Sequence, residues 1–324
     1  MRITTNLPGL ERVAPSGVIV SGFPVDSFPQ WWKRNFLLLS SAVRSQHLVI
    51  YFAAPEILFF SVFLSLIPFH RCQITTLDFF AENNRRPWLD PVIAWALRRV
   101  SRCLVYFKDS AVFEQKFGVP SSKFYYIPFK VNAWELILAA PTRDEGYIFS
   151  GGRSRRDFAA LFEAVKDTAY PLKLVIGRES ELAPNGSSLR GLSVPANVEI
   201  LRGETSAEEF AGLLAGARLV VIPLLPGIAT QAGIGVYLQA MAARKCVIVS
   251  SGPGVSDVLD DRQAIVVPAG DYSALREAIR RAWEDQDLRE RYARAGAKYA
   301  LSLGGEDALR RSVLAALPGE TGAV

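Results

Sequence analysis

The sequence predicts an α/β protein built as two doubly wound, Rossmann-like halves that face a central cleft. Three observations lead there. Short β-branched runs alternate with stretches of helical periodicity along most of the 324 residues, the pattern of parallel sheets with helices on both faces. The alternation stops once, over Asn132 to Glu145, and then restarts. The stretch from Val220 to Pro268 reads as strand, glycine-containing loop, helix, strand and strand. That is a βαβ unit whose strands are apolar throughout because both faces are covered.

The first half is read in order. Gly17 to Ser21 (GVIVS) is a strand, and Gly22-Phe23-Pro24 turns the chain after it. Gly22 permits close approach of backbone to a ligand. Gln30 to Arg44 is helical, 48–53 a strand, Glu56 to Ile67 a helix and Gln73 to Leu77 a strand. A loop follows with Asp78 and the polar run Glu82-Asn83-Asn84-Arg85-Arg86. Trp88 to Arg102 has helical spacing (Leu89, Val92, Ile93, Trp95, Ala96, Val100). Leu104 to Phe107 is a strand, Ala111 to Phe117 a helix, and Phe124 to Pro128 a strand. The polar turn Pro141 to Gly146 marks the domain linker. The expected domains are 1–140, 141–300 and a C-terminal helix, 301–324, able to cross back to the first.

In the second half Tyr147 to Ser150 is a strand, 151–157 a loop and Phe158 to Lys166 a helix. Leu172 to Ile176 and Val198 to Leu201 are strands. Ser206 with Glu209 three residues on is a capping box for the next helix, which runs to Ala217. Val220 to Ile222, the helix Val236 to Ala243, Cys246 to Val249 and Ala264 to Val267 form the unit described first. Asp271 caps a helix with Leu275, Ile279 and Trp283 on one face. A last helical stretch from Arg289 to about Leu317 breaks near Gly304-Gly305.

Composition narrows the function classes. Half the residues are hydrophobic and 21% are charged, so the chain has ample core. A net charge of +5 fits anionic small molecules or a membrane surface and does not argue for nucleic acid. Cys72, Cys103 and Cys246 are isolated in apolar contexts and read as buried thiols of a reducing compartment. With His47 and His70 as the two histidines, a His/Cys metal site is not expected. The first fifteen residues lack an apolar run, so no signal peptide is read and the expected location is cytoplasmic. Leu48 to Phe69 is long and apolar enough to approach a membrane span. Pro55 and Glu56 divide it into strand and helix, and Pro55 is a normal helix start. A buried strand–helix pair is expected, and peripheral contact with a membrane stays open because Phe59, Phe60, Phe63 and Leu64 make that helix unusually apolar.

Open parallel sheets bind ligands beyond the carboxyl ends of their strands. The chemistry is therefore expected in the loops after Ser21, Leu77, Phe107, Ser150, Ile176, Leu201 and Ile222. Thr230 to Gly235 opens directly onto a helix, so the N–H groups of Gly233, Ile234 and Gly235 and the helix dipole offer an anion site; a plain tight turn is the alternative. Arg153, Arg155 and Arg156 share one loop. Arginine suits bidentate phosphate contact, although three close arginines also describe a solvated loop. Asp78 is the best polar group of the first half, with a helix-cap aspartate as the alternative. Phe23, Phe28, Trp31, Trp32, Phe79 and Phe80 suit a partner with apolar or sugar-ring faces, or a core. His70 sits at the far end of its strand and reads as structural.

The run Gln231-Ala-Gly-Ile-Gly-Val-Tyr-Leu-Gln239-Ala-Met-Ala, then CVIVSS, then VVPAGDYSALREAIRRAWEDQDLRERYARAGAKYA, resembles the donor domain of a retaining, family-4-like glycosyltransferase of the GT-B fold. The match is good from Leu219 to Ala300, looser over Tyr147 to Ala217, and weak in the first half. Both glutamates of that family's motif are glutamine here, Gln231 and Gln239, and its glycine after the helix is Arg244. The resemblance implies transfer of a hexose from a nucleotide diphosphate sugar to a saccharide, lipid-linked or small-molecule acceptor, without a metal or other cofactor. It implies a phosphate clamp of Gly152, Arg153 and Arg156, with Arg155 as alternate. Gly233, Ile234 and Gly235 would meet phosphate or sugar, Gln239 the ribose, and Gln231 the sugar without supplying charge. Arg202, with Gly177-Arg178 nearby, would lie by the nucleobase. Gly22 and Asp78 would serve the acceptor side. A catalytically silent protein that binds a nucleotide sugar, or partners an active transferase, is the alternative, because function lives in the site and not in the fold.

Overall fold

Two six-stranded, wholly parallel sheets organise the chain in the computed structural model. It describes residues 1–23, 30–51, 54–67, 71–78, 90–203, 205–229 and 231–319. Phe28, His70, Phe79, Phe80, the run 82–86 and the expected helix start at Trp88 lie outside these. The chain divides into two units, Met1–Pro128 together with the segment from Asp307 onwards, and Phe129–Glu306.

The first unit contains β1 (Arg2–Thr5), β2 (Ile19–Gly22), α1 (Trp31–Ala42), β3 (His47–Tyr51), α2 (Ala54–Ser65), β4 (Gln73–Leu77), α3 (Asp90–Arg99), β5 (Arg102–Val105), α4 (Ala111–Phe117) and β6 (Phe124–Tyr126). Strand order is β2-β1-β3-β4-β5-β6. Apolar residues of the central strands, Leu48, Ile50, Ile74 and Val105, pack with Leu38 of α1, Phe59 and Phe60 of α2, Leu97 of α3 and Phe113 of α4. Each such side chain contributes roughly 1.5–3 kcal/mol by leaving water. The apolar run at 48–69 resolves into β3 and the 12-residue α2, and among the described residues no helix is long and apolar enough to cross a membrane.

β1 was not expected from the sequence. It is short and half polar, but its threonines are buried and satisfied. Thr5 Oγ1 donates to Val49 O at 2.9 Å, and Thr4 Oγ1 lies 2.7 Å from Ser41 Oγ and 2.9 Å from Ser45 Oγ. The strand at Gly17–Ser21 is thereby the edge strand β2 and not the first.

The second unit contains α5 (Trp134–Ala139), β7 (Ile148–Gly151), α6 (Phe158–Val165), β8 (Leu172–Ile176), α7 (Glu179–Leu182), β9 (Val198–Arg202), α8 (Ala207–Gly216), β10 (Leu219–Ile222), α9 (Ile234–Ala242), β11 (Cys246–Ser250), β12 (Ile265–Val267), α10 (Tyr272–Glu284) and α11 (Gln286–Leu303). Strand order is β12-β11-β10-β7-β8-β9. The capping box at α8 forms as read: Ser206 Oγ accepts from Glu209 N at 3.1 Å and the Glu209 carboxylate accepts from Ser206 N at 3.0 Å. Asp271 caps α10 through Ala274 N at 2.9 Å. A final helix, α12 (Glu306–Ala315), follows the break at Gly304. Past its first residue it belongs to the first unit, where Arg310 Nε donates to Pro8 O at 2.9 Å and Arg102 to Ala316 O at 2.8 Å. The segment 132–146, whose polar turn 141–146 was expected as the linker, lies in the second unit. Its helix α5 packs on α8 and α9, and Arg143 N and Glu145 N donate to the last carbonyls of α8 at 2.9 Å each.

Candidate functional site

The second sheet reverses direction between β7 and β10: β8 and β9 extend to one side of β7, β10 to β12 to the other. The loops leaving β7 and β10 start at that point, where open α/β sheets in general have the crevice that takes a ligand. Here the two loops are stitched together at their far ends. Arg156 bridges Leu224 in an antiparallel pair, Leu225 N donates to Arg155 O at 3.0 Å and Asp157 N to Pro223 O at 3.2 Å. Asp157 then caps α6 through Ala160 N at 2.9 Å. The position of Arg156 is thus fixed from both sides.

Its side chain is held as firmly. Arg156 is 3% exposed. Nε donates to Gly151 O at 3.1 Å and Nη1 to Ser154 O at 2.8 Å, while the main-chain N donates to Ser187 Oγ at 2.8 Å. A Cβ on Gly152 would fall on Nη2, and one on Gly233 would stand 3.6 Å from Nη1. Both glycines have positive φ, 104° and 81°. The guanidinium therefore lies between two stretches of bare backbone. Among the described residues no carboxylate pairs with it. Burial pushes its pKa down to about 10, so it stays charged near neutrality. An unpaired buried cation is costly.

Gly233 is also the N-cap of α9. Val236 N and Tyr237 N both turn back to Gly233 O at 3.0 Å. The N–H groups of Ile234 and Gly235 have no acceptor among the described residues, the ordinary state of a first helical turn. The loop after β11 closes against this turn. Tyr237 Oη donates to Gly254 O at 2.7 Å, and Gly254 stands against Ile234 and Gln231. Gln231 and Gln239 are both buried; Gln231 lies beside the N-terminus of α9, Gln239 within the helix.

Gly152, Arg156, Gly233, Ile234, Gly235 and Gln231 are thus gathered at one place. Arg153 is exposed at the loop tip. Arg155 turns away, its side chain lying over Gly186. Arg202 ends the edge strand β9, exposed, at the far side of the sheet from the crevice. It acts on Glu179, whose carboxyl is held below its usual range first by the Ser188 hydroxyl and to a smaller extent by Arg190 and Arg202. Arg178 leads into α7, whose Glu181 carboxylate accepts from Arg178 N at 3.0 Å.

Two residues here carried no sequence signal. Lys130, buried, donates to Asn132 Oδ1 at 2.5 Å and pairs with Glu306. A Cβ on Gly235 would stand 2.6 Å from Asn132 Nδ2. Asn132 thus reaches the first turn of α9 from the segment before α5, and Lys130 is held against Asn132.

In the first unit, the first sheet reverses between β1 and β3. Asn6 spans the point: Nδ2 donates to Tyr51 O at 3.0 Å and Oδ1 accepts from Tyr51 N at 2.7 Å. The loop at 6–9 is therefore the crevice loop, and Gly22, exposed at the end of β2, borders it. Asp78 follows β4, buried, with φ of 60°. A non-glycine residue in that region is strained by roughly 1–3 kcal/mol, and such strain gathers at functional sites. Among the described residues no three His, Cys, Asp or Glu side chains gather as metal ligands.

Comparison with known proteins meets this geometry. Residues 150–285 match the family model of glycosyl transferases group 1. That segment contains the whole β7–β10 crevice, Arg156 and the start of α9. Among curated protein sequences none matches significantly. Among solved structures the chain resembles HepE of Anabaena, crystallised with UDP and glucose, at 15% identity and a TM-score of 0.66, covering 97% of this chain and 98% of that one. It resembles the sucrose-phosphate synthase of Thermosynechococcus elongatus at 17% identity and 0.65, covering 97% and 87%. An α,α-trehalose-phosphate synthase (UDP-forming) from Burkholderia xenovorans, in complex with glucose-6-phosphate, follows at 14% and 0.59, covering 89% and 77%. The fold is the two-domain, Rossmann-like GT-B fold.

Proposed function

We propose that the protein is a glycosyltransferase that moves a hexose from a nucleotide diphosphate sugar to a saccharide, lipid-linked or small-molecule acceptor. The observation that carries this reading is Arg156, a buried cation with no carboxylate partner among the described residues, set beside the first turn of α9 at the sheet's reversal point. An anionic group that enters there is what such a site lacks. HepE, of like fold, was crystallised with UDP-glucose, which makes UDP the first nucleotide to test.

Transfer expels a diphosphate, and the protein must stabilise charge that grows on the leaving oxygen. In our reading Arg156 and the N–H groups of Ile234 and Gly235 hold that diphosphate, and the positive end of the α9 dipole adds to them. Arg153 reaches it from the exposed loop tip as a second cation. Gln231, next to the helix start, hydrogen-bonds the sugar, and Gln239 the ribose. These groups serve without a metal. Arg202 stands apart on the edge strand and is left to the nucleobase. Asp78 and Gly22, on the first unit, serve the acceptor side. Retention of configuration rests on the family resemblance, and a cytoplasmic location on the three buried thiols.

The two neutral residues Gln231 and Gln239 favour a second reading, a protein that binds the nucleotide sugar without transfer. One experiment separates the two. The protein is incubated with UDP-, GDP- and ADP-sugars and a mixed acceptor pool, and nucleoside diphosphate release and glycosylated product are measured. Acceptor-dependent release supports transfer; thermal stabilisation by a donor with no release supports the silent binder; neither response removes both.

A further inference from the structure

We propose that the outer face of α1 and α2 docks on an anionic lipid bilayer. The buried side of α1 is formed by Arg34, Asn35, Leu38 and Ala42. Its opposite side carries Trp32 and Phe36, one turn apart, 61% and 50% exposed, and further on Val43. α2 continues the same surface. Phe36 and Phe63 meet at 5.9 Å between ring centres, and Trp32 and Phe36 stack at 6.5 Å. Val62 and, just past the helix, Leu66, 73% exposed, extend it. Large apolar side chains are thus contiguous across two adjacent helices and open to solvent, an arrangement that marks an interaction surface.

Charge decides the occupant. Lys33 lies next to Trp32, and Arg44 follows the end of α1; both are exposed. At the other border Arg99 donates through Nε to Ser65 Oγ at 3.2 Å and stacks on Trp95 at 3.7 Å. Among the described residues of α1, α2 and α3 no Asp or Glu is exposed: Glu56 is buried under Trp31 and Arg34, accepting from both at 2.8 Å, and Asp90 is half-buried. Aromatic and aliphatic side chains inside a basic border match the acyl boundary and phosphate layer of an anionic membrane. Trp32, in the first turn of α1, also stands at the carboxyl edge of the first sheet. A bilayer docked there would present a lipid-linked molecule to the crevice loops. The docking itself does not depend on sugar transfer.

The test is co-sedimentation of the full chain with vesicles of phosphatidylcholine alone or with about one third phosphatidylglycerol. Binding to the anionic vesicles is expected, weakened by salt. The Trp32→Ser/Phe36→Ser double variant should partition at least about tenfold less, since binding follows buried apolar area. Lys33→Glu should weaken binding to anionic vesicles and leave the thermal unfolding temperature unchanged. No sedimentation with anionic vesicles, or equal binding by all variants, overturns the proposal. So does a wild-type dimer that the double variant turns into a monomer, which would assign the face to a second copy.

Discussion

Arg156 and Gly233 are neighbours in space: Nη1 of Arg156 stands 3.6 Å from the point a Cβ on Gly233 would occupy. The loop after β7 and the first turn of α9 are therefore one feature, a cation set against the backbone N–H groups of a helix start. A Cβ on Gly233 would also come within 2.9 Å of Ile222 Cγ2, so the close fit is built into β10 as well.

Gly152 tests that fit. Its φ of 104° disfavours any side chain, and a Cβ would displace Arg156 Nη2. Gly152→Ala should cost roughly 1–3 kcal/mol of stability and weaken nucleotide binding together with it. Urea unfolding and UDP titration check both. A variant with wild-type values on each would show that the guanidinium does not depend on this glycine.

Asp78 separates strain from chemistry. Glycine tolerates a φ of 60° without penalty. Asp78→Gly should change stability by less than about 1 kcal/mol while acceptor turnover falls and donor binding holds. Unchanged turnover would assign Asp78 a local backbone role.

Lys245 supplies a pH test. Burial lowers its pKa to about 8 from 10.5. Between those values the unfolded chain binds more protons than the folded one, so this group's contribution to stability rises with pH. In urea unfolding at pH 7.5 and 9.5, wild type should gain on Lys245→Met at the higher pH, with common titrations cancelling. A difference that stays constant or falls would contradict the assignment.

How far the sequence alone reached can be argued from single residues. The β10–α9–β11 unit was legible because its strands are unbroken β-branched runs and Gly233 punctuates them. β1 was not, because its burial rests on threonine hydroxyls that find partners on α1 and β3 far along the chain. Arg156 and Arg202 look alike in sequence, each near a strand end. Sheet order separates them, since β7 flanks the reversal and β9 is an edge. Sheet order is a product of pairing between distant segments and leaves no local pattern. Lys130 and Asn132 were hidden for a related reason: Asn132 comes beside Gly235, and Lys130 beside Asn132, only once α5 packs on α9.

The most direct measurement is calorimetric titration of UDP into wild type and Arg156→Met, beside the urea stability of each. Methionine has similar reach and removes a buried, carboxylate-free charge, so stability should hold or rise. UDP affinity should fall about tenfold to a hundredfold, the loss of a charged hydrogen bond of roughly 1.5–3 kcal/mol. Unchanged affinity with lowered stability would make Arg156 a structural brace and contradict the anion site.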